Sequence, residues 1–205
     1  MSTTNPTFRH AFPVTFESVA GKLRDSALRD PLLDFGDLED RHGATLIVIH
    51  SQQGSQSLHA EHQACIDTRH WSGLGYNFWI ERSLEERTPA TIWRGRPLWA
   101  VAAHCIGANK NSYGICLAGD ARKLGPTPSQ MWALVDLIHS LFVSSPNLLL
   151  WCFHRDILTA DTDCPGSCLA EPEVTAAMSL YQFPPTKYGP LVFPAQFRPC
   201  KTAVY

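Results

Sequence analysis

The sequence predicts a single α/β domain in which helices flank a central mixed β-sheet. Short apolar runs of strand length recur between Ala44 and His154, as expected for buried strands. One long segment that begins at Thr127 instead repeats its apolar residues at helical spacing. The chain has 205 residues, of which 44% are hydrophobic and 18% are charged. This composition suits one domain with its own core and argues against disorder.

The first half of the chain alternates between the two patterns. Residues 16–28 and 57–71 predict helices, and the unbroken apolar run Ala44–His50 predicts a central buried strand. Further strands are predicted at Gly75–Glu81, at 90–99 and at Ser112–Asp120.

The second half contains the clearest helix. Thr127 is a suitable N-cap, Pro128 fits the first helical position, and Gln130 completes a capping box. Its apolar face predicts packing on the sheet and consists of Met131, Leu134, Val135, Ile138, Leu141 and Phe142. Asn147–His154 predicts the last core strand, and residues 171–183 predict a short helix.

Composition excludes several classes of protein. The net charge of -2 gives no electrostatic reason to expect a nucleic acid as partner. No apolar stretch is long enough to span a bilayer, and residues 1–16 lack the basic start and apolar run of a secretory signal. Seven cysteines without compact spacing predict mostly free thiols and a reducing cytoplasm.

Two predicted strands end on histidine, His50 and His154, and Cys164 follows in the loop after the second. The ends of neighbouring buried strands open into the crevice where α/β sheets commonly bind ligands. Two imidazoles and one thiolate suit zinc and leave a fourth position for water, as in catalytic sites. Spacing alone leaves open the alternative that the histidines are polar strand ends and that Cys164 is a spectator.

Two other groups of residues have open interpretations. His59 and His62 stand one helical turn apart and form either a solvated helix face or a pair of metal ligands. Trp71, Trp93 and Trp99 flank the predicted site, and they either pack in the core or stack on a ligand.

Five segments occur in an order typical of one enzyme family. They are IVIHS (47–51), WSGLGYNFWIE (71–81), GRPLWAVAAHCIGANKNSYGICLAGD (95–120), PTPSQMWALVDLI (126–138) and FHRDILTADTDCPG (153–166). On these motifs the chain resembles the zinc-dependent N-acetylmuramoyl-L-alanine amidases, which include amidase-type phage lysozymes and the peptidoglycan recognition proteins. The resemblance implies hydrolysis of the amide that joins N-acetylmuramic acid to L-alanine in peptidoglycan.

The resemblance also implies roles for individual residues. The family's zinc ligands fall on His50, His154 and Cys164, and its catalytic tyrosine falls on Tyr76. A position that holds lysine in some members and threonine in others, and that donates to the oxyanion, falls on Thr162.

Other positions of the family pattern are matched in part. His104 corresponds to a histidine near the substrate groove, and Asn109 either binds substrate as well or shapes its Gly-rich loop. Ser51 and Asn77 stand where histidine is common in the family. Cys116 replaces the strand glutamate of one branch, which places the chain with the branch that uses tyrosine.

The implied organisation is a catalytic core at 44–168 with extensions at 1–43 and 169–205, the second packing on the core. Without a visible signal peptide, the expected protein is a monomeric endolysin of phage or prophage origin. It would be made in the bacterial cytoplasm and would act on the wall after release. Two alternatives stay open: a non-catalytic protein that binds peptidoglycan or muropeptides, and a cytoplasmic amidase that recycles wall fragments.

Overall fold

A six-stranded mixed sheet forms the centre of the chain, of which the computed structural model describes residues 14–85 and 87–180. The strands are β1 (Leu28–Arg29), β2 (Leu46–Ser51), β3 (Phe78–Ile80), β4 (Ile92–Arg94), β5 (Ser112–Leu117) and β6 (Leu150–Phe153). They lie in the order β1-β4-β3-β5-β2-β6, and only the β3–β4 pair among them is antiparallel. The predicted single α/β domain with a mixed sheet is confirmed.

Four α-helices accompany the sheet in this part of the chain: α1 (Phe16–Ala20), α2 (Leu58–Asp67), α3 (Pro128–Ser144) and α4 (Glu171–Leu180). The capping box of α3 is confirmed, because Thr127 and Gln130 each accept the backbone N–H of the other through their side chains. The predicted apolar face of α3 is buried or half-buried against the sheet. No helix within the described ranges is both long and apolar enough to cross a membrane.

The two faces of the sheet pack against different parts of the chain. Ile47 and Ile49 of β2 point into the main core, which α3 covers, and α1 and α4 pack on α3. Leu46 and Val48 point to the opposite face, into a smaller apolar cluster. Because side chains alternate along a strand, His50 also points to this opposite face, away from α3. The fold therefore places the first predicted ligand on the face that α3 does not cover.

The last core strand ends one residue earlier than predicted. The Asp156 carboxylate accepts a hydrogen bond from the backbone N–H of Phe153, at 2.9 Å. This bond turns the chain into a single 3-10 turn, His154–Asp156. His154 therefore lies on the turn that follows β6 rather than on the strand itself.

The helix predicted over 16–28 is also shorter in the structure. It ends at Ala20, with Gly21 as its C-cap, and the chain then runs past α3. The buried carboxylate of Asp136 on α3 accepts the backbone N–H groups of Arg24, Asp25 and Ser26 at 2.8–3.1 Å. These bonds replace the helical hydrogen bonds that the sequence pattern predicts. The helix predicted over 171–183 is observed over Glu171–Leu180, and its last three residues lie outside the described ranges.

Replacing Asp136 should therefore detach the N-terminal segment from α3. We expect Asp136→Ala to lower the free energy of unfolding by about 3 kcal/mol, because three hydrogen bonds to a buried charged acceptor are lost together. Urea unfolding followed by circular dichroism measures this loss. Asp67→Ala, which removes an exposed carboxylate on α2, is the control and should change stability by no more than about 0.5 kcal/mol. A loss below about 1 kcal/mol for Asp136→Ala would show that these bonds do not hold the segment.

Candidate metal centre

The two histidines meet because their strands are direct neighbours. β2 and β6 are parallel, and Ile49 is paired with Phe153, so the next residue along each strand, His50 or His154, lies at the same end of the sheet. The rings of His50 and His154 lie 4.6 Å apart between centroids. His50 is 1% exposed, whereas His154 is half-buried, so the pair reaches from the core toward solvent.

The loop that carries Cys164 is held against these strand ends by hydrogen bonds to its backbone carbonyls. Arg155 donates its N–H to the Cys164 carbonyl at 2.8 Å, and its guanidinium donates to the Gly166 carbonyl at 2.9 Å. The Ser51 hydroxyl donates to the carbonyl of Pro165 at 2.6 Å, across a loop with a cis Cys164–Pro165 bond. Gly166 has a φ of 110°, and a Cβ there would collide with the backbone of residues 121–122. The loop position is therefore specified on both sides of the thiol.

His50, His154 and Cys164 thereby form one cluster of donor atoms. One donor atom from each lies within 4.8 Å of the other two, the only such group of three His, Cys, Asp or Glu side chains found in the described ranges. The Cys164 Sγ lies 3.6 Å from the Nδ1 of His50. Tetrahedral zinc bonds of about 2.05 Å to nitrogen and 2.3 Å to sulfur place two such donors roughly 3.6 Å apart. The spacing and chemistry of the donors therefore fit a zinc ion.

Burial sets the protonation of these groups. It lowers the pKa of His50 well below its ordinary value, with the neighbouring His104 and His154 adding to the effect, and it lowers the pKa of His154. Both imidazoles are therefore neutral at pH 7 and keep a lone pair for a metal. Burial raises the pKa of the Cys164 thiol to about 12. In the absence of a cation this sulfur carries a proton, which a metal must displace.

This difference predicts how metal affinity depends on pH. Above pH 7 the histidines are neutral, because burial holds both pKa values below the ordinary one, while the thiol is still protonated; binding then releases one proton, from Cys164. We therefore expect the apparent Kd for zinc to fall roughly tenfold when the pH rises from 7 to 8. Competition with a chromophoric chelator measures it, and Cys164→Ser should bind zinc far more weakly. A zinc Kd that is the same at both pH values would contradict the assignment of the thiol as ligand.

Tyr76 lies beside the cluster. Its ring centroid is 5.0 Å from that of His50, and its side chain is half-buried. Burial raises the pKa of Tyr76 well above its ordinary value, and the nearby thiols of Cys116 and Cys164 add to the shift. Tyr76 is therefore a neutral phenol at pH 7, able to donate or accept one hydrogen bond.

Cys116 is paired with His50 across β2 and β5 and is fully buried. Burial raises its pKa well above the ordinary range, so it is a neutral thiol and not a base. Thr162 lies two residues before Cys164, and its Oγ1 accepts the Cys164 N–H at 3.1 Å. This bond uses a lone pair of the threonine oxygen and leaves its proton available for a donor role.

The two predicted substrate contacts are engaged within the protein. The His104 side chain is 8% exposed, and its Nδ1 lies 3.0 Å from the Nε2 of His50. The Oδ1 of Asn109 accepts the backbone N–H groups of His104 and Cys105, at 2.9 and 2.8 Å. Substrate contact by either residue stays a prediction. The link between His104 and His50 has no sequence signal, because 54 residues separate the two rings.

The structure also decides between the open interpretations of His59, His62 and the tryptophans. His62 is buried, and its Nδ1 accepts the Leu74 N–H at 3.1 Å, so the prediction of a solvated face is wrong for this residue. Neither His62 nor His59 belongs to the cluster of His50, His154 and Cys164. Trp71 and Trp99 are 41% and 51% exposed, so packing in the core is wrong for them. Trp93 is half-buried and donates its indole N–H to Glu81.

A cleft of about 660 Å³ begins immediately beyond β2, at Gln52 and Gln53. Its walls include Trp79, Trp93 and Lys123, and none of the three clustered ligands lines it. The cleft therefore adjoins the candidate metal centre through the loop after Ser51 but does not contain it.

The family of the chain follows from its similarity to known proteins. A family model described as N-acetylmuramoyl-L-alanine amidase matches residues 40–167. The chain belongs to this amidase family. The resemblance that five motifs indicate is therefore confirmed, and the clustered residues of this amidase-family chain all lie inside the matched region.

Two curated relatives show how much of this amidase-family chain is shared. It is 33% identical over 101 residues to the endolysin of Escherichia phage T7, which covers 47% of this chain and 61% of the phage protein. It is 28% identical over 118 residues to the human N-acetylmuramoyl-L-alanine amidase, covering 56% of this chain and 18% of the human protein. The chain thus spans less than two thirds of the length of these relatives.

Solved structures of similar fold are more completely covered. The endolysin amidase LysCS from Clostridium intestinale superimposes with a TM-score of 0.67 and 26% identity, over 77% of this chain and 98% of LysCS. Drosophila PGRP-LB superimposes with a TM-score of 0.61 and 24% identity, over 74% of this chain and 94% of that protein. At this identity PGRP-LB supports the fold alone.

Proposed function

We propose that this chain is a zinc-dependent amidase that hydrolyses the bond between N-acetylmuramic acid and L-alanine in bacterial peptidoglycan. The observation that carries this proposal is the cluster of His50, His154 and Cys164, whose donor atoms lie together at the edge of the sheet. The cluster lies within the region that the amidase family model matches. The phage relatives are endolysins, which favours a role in lysis of the cell wall.

The chemistry divides between the metal and the chain. When bound by the three residues, zinc acts as a Lewis acid that polarises a carbonyl and lowers the pKa of water to about 7. Neutral His50 and His154 and the Cys164 thiolate would hold the ion. The thiolate would donate more charge than a third imidazole and would temper the acidity of the metal.

Tyr76 and Thr162 supply the remaining groups. Because the pKa of Tyr76 is raised by burial, its phenol keeps its proton at neutral pH and orients the attacking water by a hydrogen bond. Thr162 has its oxygen lone pair engaged by the loop and directs its proton toward the oxyanion that forms from the amide carbonyl. A donor in such a position can be worth about 3 kcal/mol to the transition state.

The proposed place of action, oligomeric state and domain organisation are consistent with this activity. A phage or prophage endolysin made in the cytoplasm would reach the wall after the inner membrane is breached, and a monomer suffices for a site built from one chain. The catalytic core at 44–168 and the extensions at 1–43 and 169–205 belong to the same proposal. The hydrogen bonds that the backbone of residues 24–26 donates to Asp136 support an N-terminal extension that packs on the core.

The test is digestion of purified sacculi with the zinc-loaded chain, followed by assay of newly exposed L-alanine amino termini and of released stem peptides. We expect both products, together with one zinc per chain. Cleavage of soluble anhydro-muropeptides but not of sacculi would replace lysis by recycling of wall fragments. Binding of sacculi without any new amino terminus would show a recognition protein, and the proposal of an enzyme would be wrong.

A further inference from the structure

A chain of hydrogen bonds leads away from the metal centre into the second face of the sheet. The Nε2 of His50 lies 3.0 Å from the Nδ1 of His104. The Nε2 of His104 lies 3.4 Å from the Oγ of Ser112, which in turn lies 2.6 Å from the carbonyl oxygen of Ala108. These hydrogen bonds therefore join the buried His50 to a backbone carbonyl through two side chains, those of His104 and Ser112.

The carbonyl at the far end fixes the direction of every bond in this chain. A carbonyl only accepts, so the Ser112 hydroxyl proton lies on the bond to Ala108 and the serine oxygen accepts from His104. A neutral imidazole carries one ring proton. His104 therefore has its proton on Nε2 and a lone pair on Nδ1, and His50 must donate from its own Nε2. The lone pair of His50 is then on Nδ1, the nitrogen that lies 3.6 Å from the Cys164 sulfur.

The position of His104 is built into the surrounding backbone. A Cβ on Gly114 of β5 would lie 2.8 Å from the His104 Nε2 and closer still to two ring carbons, so the imidazole lies directly on this strand because residue 114 is glycine. The Asn109 side chain holds the backbone of His104 from the other side. Both contacts position the ring, and neither involves the metal ligands.

We propose that His104 is a positioning residue which fixes His50 in the tautomer that presents Nδ1 to the metal. The inference rests on the proposed zinc site and assigns His104 a function other than contact with substrate. Hydrogen bonds of this kind to a ligand histidine orient its ring and raise its basicity, and their loss typically weakens metal binding 10- to 100-fold.

The direct test uses the metal-free wild-type chain with ¹⁵N-labelled histidine. We expect a through-hydrogen-bond coupling between the Nε2 of His50 and the Nδ1 of His104, with the proton covalently bound to His50. A proton bound to His104 Nδ1, or no coupling between the two nitrogens, would overturn the assignment. This result does not depend on zinc or on activity.

Variants test the consequence for the metal, with zinc alone as probe in a chelator competition. His104→Leu removes the acceptor, and Gly114→Ala displaces the ring without changing any side chain in the hydrogen-bond chain, so each should weaken zinc binding 10- to 100-fold. His104→Asn places an oxygen acceptor near the position of Nδ1 and should restore the affinity to within about threefold of wild type. His62→Leu, which removes another buried imidazole, is the control and should leave the zinc Kd unchanged.

The outcomes separate this inference from the proposed function. If wild type binds zinc and His104→Leu binds it equally well, His104 does not position the ligand and the amidase proposal stands. If wild type binds no zinc while the coupling between His50 and His104 is present, the tautomer assignment stands and the zinc amidase is wrong.

Discussion

Cys164→Ala should abolish both stoichiometric zinc binding and amide hydrolysis, with the rate of peptide release from sacculi reduced at least about 10³-fold. As a thiolate, Cys164 would be the charged ligand of the proposed zinc site, so its loss would leave two neutral imidazoles, which hold zinc weakly. Because the Cys164 side chain is buried and lies against Ser51 and His50, alanine fits the same space without a new clash. Zinc content by atomic spectroscopy and release of L-alanine amino termini measure the two effects.

The matched control for this experiment is Cys168→Ala. Cys168 lies four residues further along the same loop, is half-buried and free, and is not part of the cluster. The Cys168→Ala variant should retain one zinc per chain and at least about half of the wild-type rate. If Cys164→Ala keeps its zinc and its rate, the cluster is not the metal centre, whatever the family of the chain.

Tyr76→Phe should lower kcat about 10²-fold or more and leave zinc content at one per chain. The phenol lies beside His50 but is not one of the three clustered ligands, so its removal takes away a hydrogen bond to the reacting water and not the metal. Single positioned proton donors or acceptors contribute about 10²- to 10⁴-fold to rate. Steady-state kinetics on a soluble muropeptide, with zinc determined on the same sample, separates the two effects.

Tyr113→Phe provides the comparison, because Tyr113 lies on β5 but its side chain belongs to the main core on the α3 face. It should stay within about twofold of wild type in kcat. The raised pKa of Tyr76 adds a further expectation: since the phenol is protonated throughout neutral pH, its ionisation should not appear in the pH–rate profile between pH 6 and pH 8. A kcat for Tyr76→Phe equal to wild type would remove the tyrosine from the mechanism.

Strands β2 to β6 and helix α3 could be predicted from sequence because their signals are local, whereas β1 (Leu28–Arg29) falls where the pattern predicts the end of a helix. Ala44–His50 is apolar without interruption, and Thr127, Pro128 and Gln130 specify a helix start within four residues. The ends of the elements were less predictable, since they depend on distant partners. Asp136 captures the N–H groups of residues 24–26 from α3, and no pattern within 16–28 shows that this acceptor exists.

The candidate site likewise has residues that could be predicted from sequence and a contact that could not. His50, His154 and Cys164 could be proposed because two of them end apolar runs and a known family carries the same motifs. The hydrogen bond from His50 to His104 could not be proposed, because it depends on how closely residue 104 approaches β5. Gly114 is the physical reason for that approach. From sequence alone, however, a glycine in a strand can equally indicate a bulge, a bend or the close approach of another group.

The separation of the ligands along the chain has a consequence for folding. His50 and Cys164 are 114 residues apart, and they meet only when β2 has paired with β6 and the loop after the 3-10 turn has closed. An unfolded chain therefore offers no preformed set of three donors, and a cation that binds this set stabilises the native state by mass action. A bound ion would then link β2 to the turn and loop that follow β6, so that chelation would weaken both the chain's resistance to heat and the proposed catalysis through the same three side chains.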